Sequence, residues 1–592
     1  MTALTNPTDL TAHLTPETMA RAHRDLVAKA IAEFAHERLL EPVADGAGWR
    51  LDLGASAYEL SARRHPLEHW VVDPASLRRT VAGEPAPVDA QDFVVDCNDR
   101  LGIPDHLLPV YLEEIASTLA SAAWKRTHHQ LSSADLVHAD YQAIETAMTE
   151  GHPGFVANNG RIGFGVDDYA AYAPEAGADV HLHWLAVRRD EALLSLAAGR
   201  SEEEHYLAEL GEDALTDFEK RLRDLGLDPA DYLYLPVHPW QWANRISVTF
   251  APDVARQALV SLGVVPSAHR AQQSIRTFFP VDHPERSYVK VALAIQNMGF
   301  LRGLSPAYMA ATPAINDWVA ELVQGDAELV GLGFSVLREH AAIGWTGDAY
   351  HRLPVTSPYR KMVAALWRES PVPHLAHGER LATMASLLHR DRDSVPLVAE
   401  LIECSPLEPA AWVTTYLRAY LRPLVHCLLA HDLAFMPHGE NLVMVLRDHV
   451  PVRMVMKDIG EEVAVLGDRP LPDEVARIRA AVTPDVAALS IHTDVFDGFL
   501  RHLGAILDEA GLLPDDDFWG LVRACIAGHA ADHPELAAAA ATYDLLRAEF
   551  AHSCLNRLQL RNTLQMVDLT DQAESLIFAG TLRNPAADPR LR

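Results

Sequence analysis

The sequence lacks any closely spaced cysteine pair. Its five cysteines, Cys97, Cys404, Cys427, Cys525 and Cys554, stand singly across 592 residues, which argues against both a disulfide framework and a thiolate zinc site. Long apolar runs are missing as well. Residues 424–436 are interrupted by His426, His431 and Asp432, so nothing reads as a membrane span. Residues 1–13 are polar, with no basic end followed by an apolar run; no signal peptide is expected, and the protein is expected in the cytoplasm. Positive charge is scarce: 50 Lys and Arg stand against 81 Asp and Glu, a net charge of −31. Phosphates would be repelled, so a nucleic-acid partner is disfavoured. The acid excess serves solubility and is compatible with a cationic amine substrate. There is no Gly-x-Ser-x-Gly elbow, no His-Glu-x-x-His helix and no internal repeat.

What is present fits an α+β protein of two to four domains. Thr15 caps a helix that begins at Pro16, and Leu26, Val27, Ala30, Ile31 and Phe34 recur at helical spacing. Residues 107–123 read as another helix, so the first ~150 residues are expected to be mostly helical. After a Gly/Asn loop at 151–165, strand-like runs follow at 180–187, 232–237 and 288–295. The last is expected to form a hairpin with 273–279. Helical periodicity returns from Ala307 and dominates to the end, apart from a second hairpin, 441–446 with 452–457. The expected division is a helical region 1–145, a strand-richer region 146–320 and a C-terminal region 321–592.

Four segments carry chemistry. Ser274-Ile275-Arg276-Thr277 faces Lys290 across the first hairpin, and strand alternation puts Ser274 and Arg276 on one face. A hydroxyl, a guanidinium and an ammonium converging there suit a triphosphate; the alternative is a ladder of solvated basic residues. His438-Gly439-Glu440-Asn441 opens the second hairpin, which ends at Lys457-Asp458-Ile459-Gly460. An asparagine and an aspartate brought together by a hairpin echo the Mg²⁺ ligands of kinase-type sites, while the alternative is polar turn residues. The loop 151–164 offers His152, Asn158, Asn159 and Arg161 to an acid or phosphate, or is an ordinary turn. No convincing helix follows its glycines, so it is no P-loop. In His238-Pro239-Trp240-Gln241-Trp242 the tryptophans read as core, and His238 is undecided.

Taken together and in this order, these segments resemble the NIS synthetases, the siderophore synthetases that work without a nonribosomal peptide synthetase. The likeness spans nearly the whole chain, and residues 151–165, 297–318 and 436–442 look most like the desferrioxamine branch. The resemblance implies a cupped hand of thumb, fingers and kinase-like palm, corresponding to 1–145, 146–320 and 321–592, and a homodimer. It implies ATP-phosphate contacts from Ser274, Arg276, Thr277 and Lys290, with Arg302 beside the phosphates and the activated carboxylate. His152 and Arg161 would orient that carboxylate, and His438, Glu440, Asn441 and Asp458 would form the nucleotide and Mg²⁺ side.

There are departures. Many relatives carry a glutamate two residues before the palm histidine, where this chain has Met436, and a glutamine where it has Glu440. Asn159 replaces a common lysine; one cation fewer would disfavour citrate. The implied reaction is adenylation of a carboxylate by ATP, then attack by an amine with release of AMP. The implied substrate is N-hydroxy-N-succinylcadaverine, oligomerised and ring-closed. A citrate-using synthetase, a small-molecule kinase and a non-catalytic siderophore-binding protein are the rivals, and the base that deprotonates the amine is not identifiable from sequence.

Overall fold

The computed structural model describes residues 10–588 except 149, 356 and 562–575. Most of the polar stretch 1–13 therefore lies outside the described residues. The first helix, Pro16–His36, starts as expected: the Thr15 hydroxyl accepts from the Thr18 N–H, and Pro16 occupies the first turn. Its apolar face, with Val27, Ile31 and Phe34, packs against the helices Ala90–Leu101 and Leu108–His128 to make an N-terminal core.

That region is not mostly helical, however. Seven strands lie between Val43 and Ala86, and five of them form an antiparallel sheet. The turn at Gly46, the turn at Gly54 and the Ala82-Gly83 pair all take positive φ, the geometry that closes two-residue hairpins. These were turn signals in the sequence that helical periodicity overrode.

A second core belongs to the middle of the chain. Its six-stranded antiparallel sheet runs in the order His269–Ala271, Thr277–Pro280, Tyr288–Val291, Ala364–Arg368, Glu339–Trp345, Ala192–Leu196. Beside it, His183–Arg188 pairs with Tyr232–Val237 and Leu259–Val264. Trp240 is buried in this core, and Trp242 stacks on His183 at 4.9 Å. Two of the six strands lie beyond residue 320, where helix was expected. Every residue of Glu339–Trp345 and Ala364–Arg368 is buried, so neither alternates, and a buried strand cannot be told from a buried helix by period.

The third core holds the long helix Pro409–His431, the helix Asp515–Asp532 and a four-stranded sheet. The second expected hairpin is there, Leu442–Arg447 with Val450–Met456. It turns without glycine, through Asp448 and His449 at φ 50° and 63°. Among the described residues no helix is long and apolar enough to cross a membrane.

Candidate functional site

A cavity of ≈ 510 Å³ lies where the three cores meet, lined from all of them. The first hairpin supplies its cationic wall. Thr277 pairs directly with Lys290, as expected, but Ser274 and Arg276 are not on a strand. They stand on the loop before it, closed by the Gln272 N–H donating to the Thr277 carbonyl at 2.8 Å. Ile275, between them, is buried at φ 60°. A β-branched residue in that region is strained, and such strain persists only where packing over-determines it. What turns Ser274 and Arg276 toward the cavity is thus a tight loop rather than strand alternation.

A short hairpin, Gln296–Asn297 with Phe300–Leu301, brings Arg302 to the same wall. Met298 and Gly299 at its tip have φ 51° and 76°. Arg302 donates to the Asn297 side-chain oxygen, and Arg276 donates to the Gly303 carbonyl. Each guanidinium keeps a buried Nε–H with no protein acceptor. Burial, then the neighbouring Arg276, lowers the Arg302 pKa to about 10. Two desolvated guanidinium groups with donors to spare form a ready anion site.

The palm hairpin supplies the opposing acids. Lys290 Nζ lies 2.9 Å from Asp458 and 2.7 Å from Glu461, and Arg368 pairs with Asp458 and, at 2.8 Å, with Glu339. Burial acts to lower the Lys290 pKa, but Asp458 and Glu461 outweigh it and the net shift is upward. Burial acts to raise Asp458, yet Arg368, Lys290 and Lys457 hold its carboxyl well below the usual range. Glu461 is brought to about 2 in the same way, by Lys290 and Arg276 against burial. Asp458 itself takes φ 61°, another strained residue at the cavity wall. Asn441 donates to the Glu462 carboxylate and, at 3.0 Å, to the Met436 carbonyl. His438 lies 3.6 Å from Glu462; burial would lower its pKa, and Glu462 turns the net shift upward.

The glycine loop brings His152 to the cavity, 5.6 Å from the His438 ring. Burial, then His438, pushes the His152 pKa well down, so it is neutral where His438 tends to be charged. Gly151 is required: a Cβ there would lie 2.5 Å from the Asn158 carbonyl. The loop is stapled by the helix Leu555–Arg561, where Asn556 accepts from the Val156 N–H at 3.0 Å and donates to the Gly154 carbonyl at 2.7 Å.

Arg161 is an exception among the expected site residues. It does not line the cavity. Its guanidinium lies 3.2 Å from Glu175, both side chains 2% exposed, in a sealed cluster with Lys125. Asn159 also stays out of the cavity, and with its amide turned to suit its neighbours its oxygen meets Lys125 Nζ at 3.0 Å. The cation count at 159 and 161 therefore says nothing about citrate. Sequence reading missed Arg368, Glu461, Glu462 and Asp494. Glu461-Glu462 directly follow Ile459-Gly460 and were legible there; Arg368 and Asp494 come from distant elements with no local signal.

The carboxylates Glu440, Asp458, Glu461 and Glu462 with the Asn441 amide form an oxygen-rich set at one wall, which fits a hard cation such as Mg²⁺.

Comparison with known proteins gives the family. Residues 140–389 match the model of the IucA / IucC family, and residues 410–568 match one described as Ferric iron reductase FhuF-like transporter. The chain is 46% identical to putrebactin synthase from Shewanella sp. (strain MR-4), over 97% of this chain and 92% of that one. It is 28% identical to aerobactin synthase from Escherichia coli, over 91% and 93%. The structure of aerobactin synthetase IucC from a hypervirulent pathotype of Klebsiella pneumoniae superposes with a TM-score of 0.85 at 27% identity, covering 96% of this chain and 98% of that one. A fold shared along nearly the full length, and a relative this similar, place the chain in the IucA/IucC family of NIS siderophore synthetases.

Proposed function

We propose that this protein joins a carboxylate to an amine at the expense of ATP, through an acyl adenylate. The observation that carries this reading is one cavity in which Arg276, Lys290 and Arg302 face Asp458, Glu461 and Glu462. Ser274, Thr277, Arg276 and Lys290 would receive the triphosphate. Arg302, with its spare buried donor, would hold the substrate carboxylate against the α-phosphorus while the cationic wall offsets charge growing on the phosphates. Glu440, Asn441, Asp458 and Glu462 would hold Mg²⁺, which when bound supplies further neutralisation of the phosphates. The carboxylate oxygen forms the bond to phosphorus and pyrophosphate leaves; the amine then bonds to the acyl carbon and AMP leaves.

The amine must shed its proton before it attacks. Glu37 and Asp494 line the cavity, and burial raises each carboxyl to about 7. Near neutral pH Asp494 is poised to take that proton, whereas both Glu37 oxygens already accept from the Asn556 and Arg557 backbone N–H groups, at 2.6 and 2.9 Å. Glu33 and Asp497 in this part of the lining are already paired with Arg501, at 2.7 and 3.2 Å, so Asp494 is the carboxylate there suited to the ammonium end of a substrate. A cavity carrying both signs suits one molecule with both reacting ends, so we assign N-hydroxy-N-succinyl diamines, with the cadaverine compound first, as substrates, giving oligomers and a ring.

The test is a product analysis with ATP, Mg²⁺ and a panel of N-hydroxy-N-succinyl diamines, against citrate plus a separate amine. AMP and pyrophosphate are expected from the diamine alone, with products spaced by one substrate mass less water. ADP would make the protein a kinase. AMP only with citrate and an added amine would overturn the substrate but keep the reaction. The cytoplasmic setting and a homodimer belong to this proposal too, the latter tested by sedimentation.

A further inference from the structure

Away from the cavity, at the far end of the C-terminal core, four histidines and two carboxylates crowd together. His426 lies on the helix Pro409–His431, one turn after its internal Pro423. His529 lies on the helix Asp515–Asp532, and His533 caps that helix four residues later, so both project from one face. One nitrogen from each of His426, His529 and His533 lies within 4.8 Å of the others. None of the three lines the catalytic cavity.

The arrangement has the parts of a metal centre. Three imidazoles bound to one tetrahedral ion, with bonds of about 2.0–2.1 Å, hold their ring centres roughly 5 Å apart. Here the centres are 5.2, 4.9 and 4.7 Å apart. His426 Nε2 meets the Asp326 carboxylate at 3.1 Å, and His431 Nε2 meets the same oxygen at 2.9 Å. A carboxylate behind an imidazole fixes the tautomer and turns the other nitrogen, here Nδ1, into the cluster as a ligand. That Nδ1 is 3.0 Å from His529 Nε2.

A plain hydrogen-bonded chain, Asp326 to His426 to His529, would account for those two rings. It does not reach His533, whose Nδ1 pairs with the Glu535 carboxylate at 2.9 Å, which leaves the buried Nε2 without a hydrogen-bond partner, 3.6 Å from Glu328. Nearby cations do not bar an ion: Arg422 is matched by Glu328 at 2.6 Å and Asp532 at 2.8 Å, and Arg469 reaches only the outer face of His431 at 3.3 Å.

We propose that His426, His529 and His533, with Glu328 beside them, form a site for a divalent transition-metal cation such as Zn²⁺, pinning the two long helices together. Nitrogen donors and a tetrahedral spacing favour such an ion over Mg²⁺ or Ca²⁺. The full-length protein, stripped with chelator and kept in excess Mg²⁺ to occupy the oxygen-rich wall, is titrated with Co²⁺. One equivalent should give the intense visible band of tetrahedral cobalt, and Zn²⁺ should displace it. His533→Gln, at the edge of the cluster, should weaken binding at least about tenfold while AMP formation is unchanged. In the wild type, Zn²⁺ should also protect His533 from diethyl pyrocarbonate. Absence of the band in the wild type, the same band in His533→Gln, or unprotected His533 would each overturn the site.

Discussion

Of the buried clusters of opposite charges among the described residues, two do different work. In one, Arg161 and Lys125 surround Glu175; in the other, Lys290, Arg276 and Arg368 surround Asp458 and Glu461. Both balance carboxylates with cations. The first is closed, with Arg161 and Glu175 each 2% exposed and Tyr169 donating a further hydrogen bond to Glu175 at 2.5 Å. The second borders the cavity, and its arginine neighbours keep unused donors. A sealed ion pair is structural, because separating it leaves a buried charge alone. An ion pair at a cavity wall can exchange a protein partner for a ligand, so there the same chemistry is a binding site.

The comparison breaks most visibly at Lys290. Lys290→Ala should cut carboxylate-dependent AMP formation by about 10²–10³-fold, the usual cost of removing one preorganised charge stabiliser. Far-UV circular dichroism should be unchanged. Near-normal turnover would move the phosphate site elsewhere.

The opposite pattern is expected at Glu175. Glu175→Gln strands Arg161 and Lys125 and should cost about 3–5 kcal/mol of stability. Burial alone would raise the Glu175 pKa; Arg161 and Lys125 hold it at about 2 against an ordinary 4.5. The unfolded chain therefore takes up the proton first, and this contribution is present above pH 4.5 and lost as pH falls toward 2. Denaturant titrations from pH 6 downward should show a shallower acid loss in Glu175→Gln. An equally steep loss would mean that Glu175 is not the titrating group.

How much of this was legible in the sequence follows from what each signal encodes. The Thr15–Pro16 start, the strand Tyr232–Val237 and both hairpins were readable because capping, a short apolar run and turn residues are local. The sheet at 43–86 and the strands Glu339–Trp345 and Ala364–Arg368 were not, the first because short hairpins were read as helix, the others because full burial erases alternation. Asn158, Asn159 and Arg161 apart, the expected site residues converge on one cavity, and Arg161 is the telling exception. Its type and spacing were right for an anion, but only the fold shows that Glu175, fourteen residues on, already occupies it. Lys125 and Arg368 enter from elements far away in the chain, and no local pattern announces them.

Asp458→Asn should act more mildly than Lys290→Ala. It removes a charged oxygen from the oxygen-rich wall and loosens Lys290 and Arg368 together, so the Mg²⁺ concentration for half-maximal activity should rise about tenfold. An unchanged titration would take Asp458 out of the metal site.

The smallest effect is expected at Glu440, and the reason lies at Met436. The resemblance drawn from the sequence implies a glutamate at that position in many relatives. Here the Met436 N–H donates to the Glu462 backbone carbonyl at 3.1 Å, and the Asn441 amide bridges the Met436 carbonyl and the Glu462 side chain. Glu462 thus brings a carboxylate to the place where methionine has none, from the far end of the hairpin. Glu440 lines the cavity, but no hydrogen bond or ion pair among the described residues fixes its carboxylate. An unrestrained carboxylate gains little geometric advantage as a ligand, and glutamine keeps one of its oxygens. Glu440→Gln should therefore leave the Mg²⁺ titration within about twofold of wild type, whereas Glu462→Gln should shift it several-fold, toward the Asp458→Asn value. The two variants titrated side by side decide between them: a larger shift for Glu440→Gln would return the metal ligand to Glu440 and leave Glu462 as a partner of His438 alone.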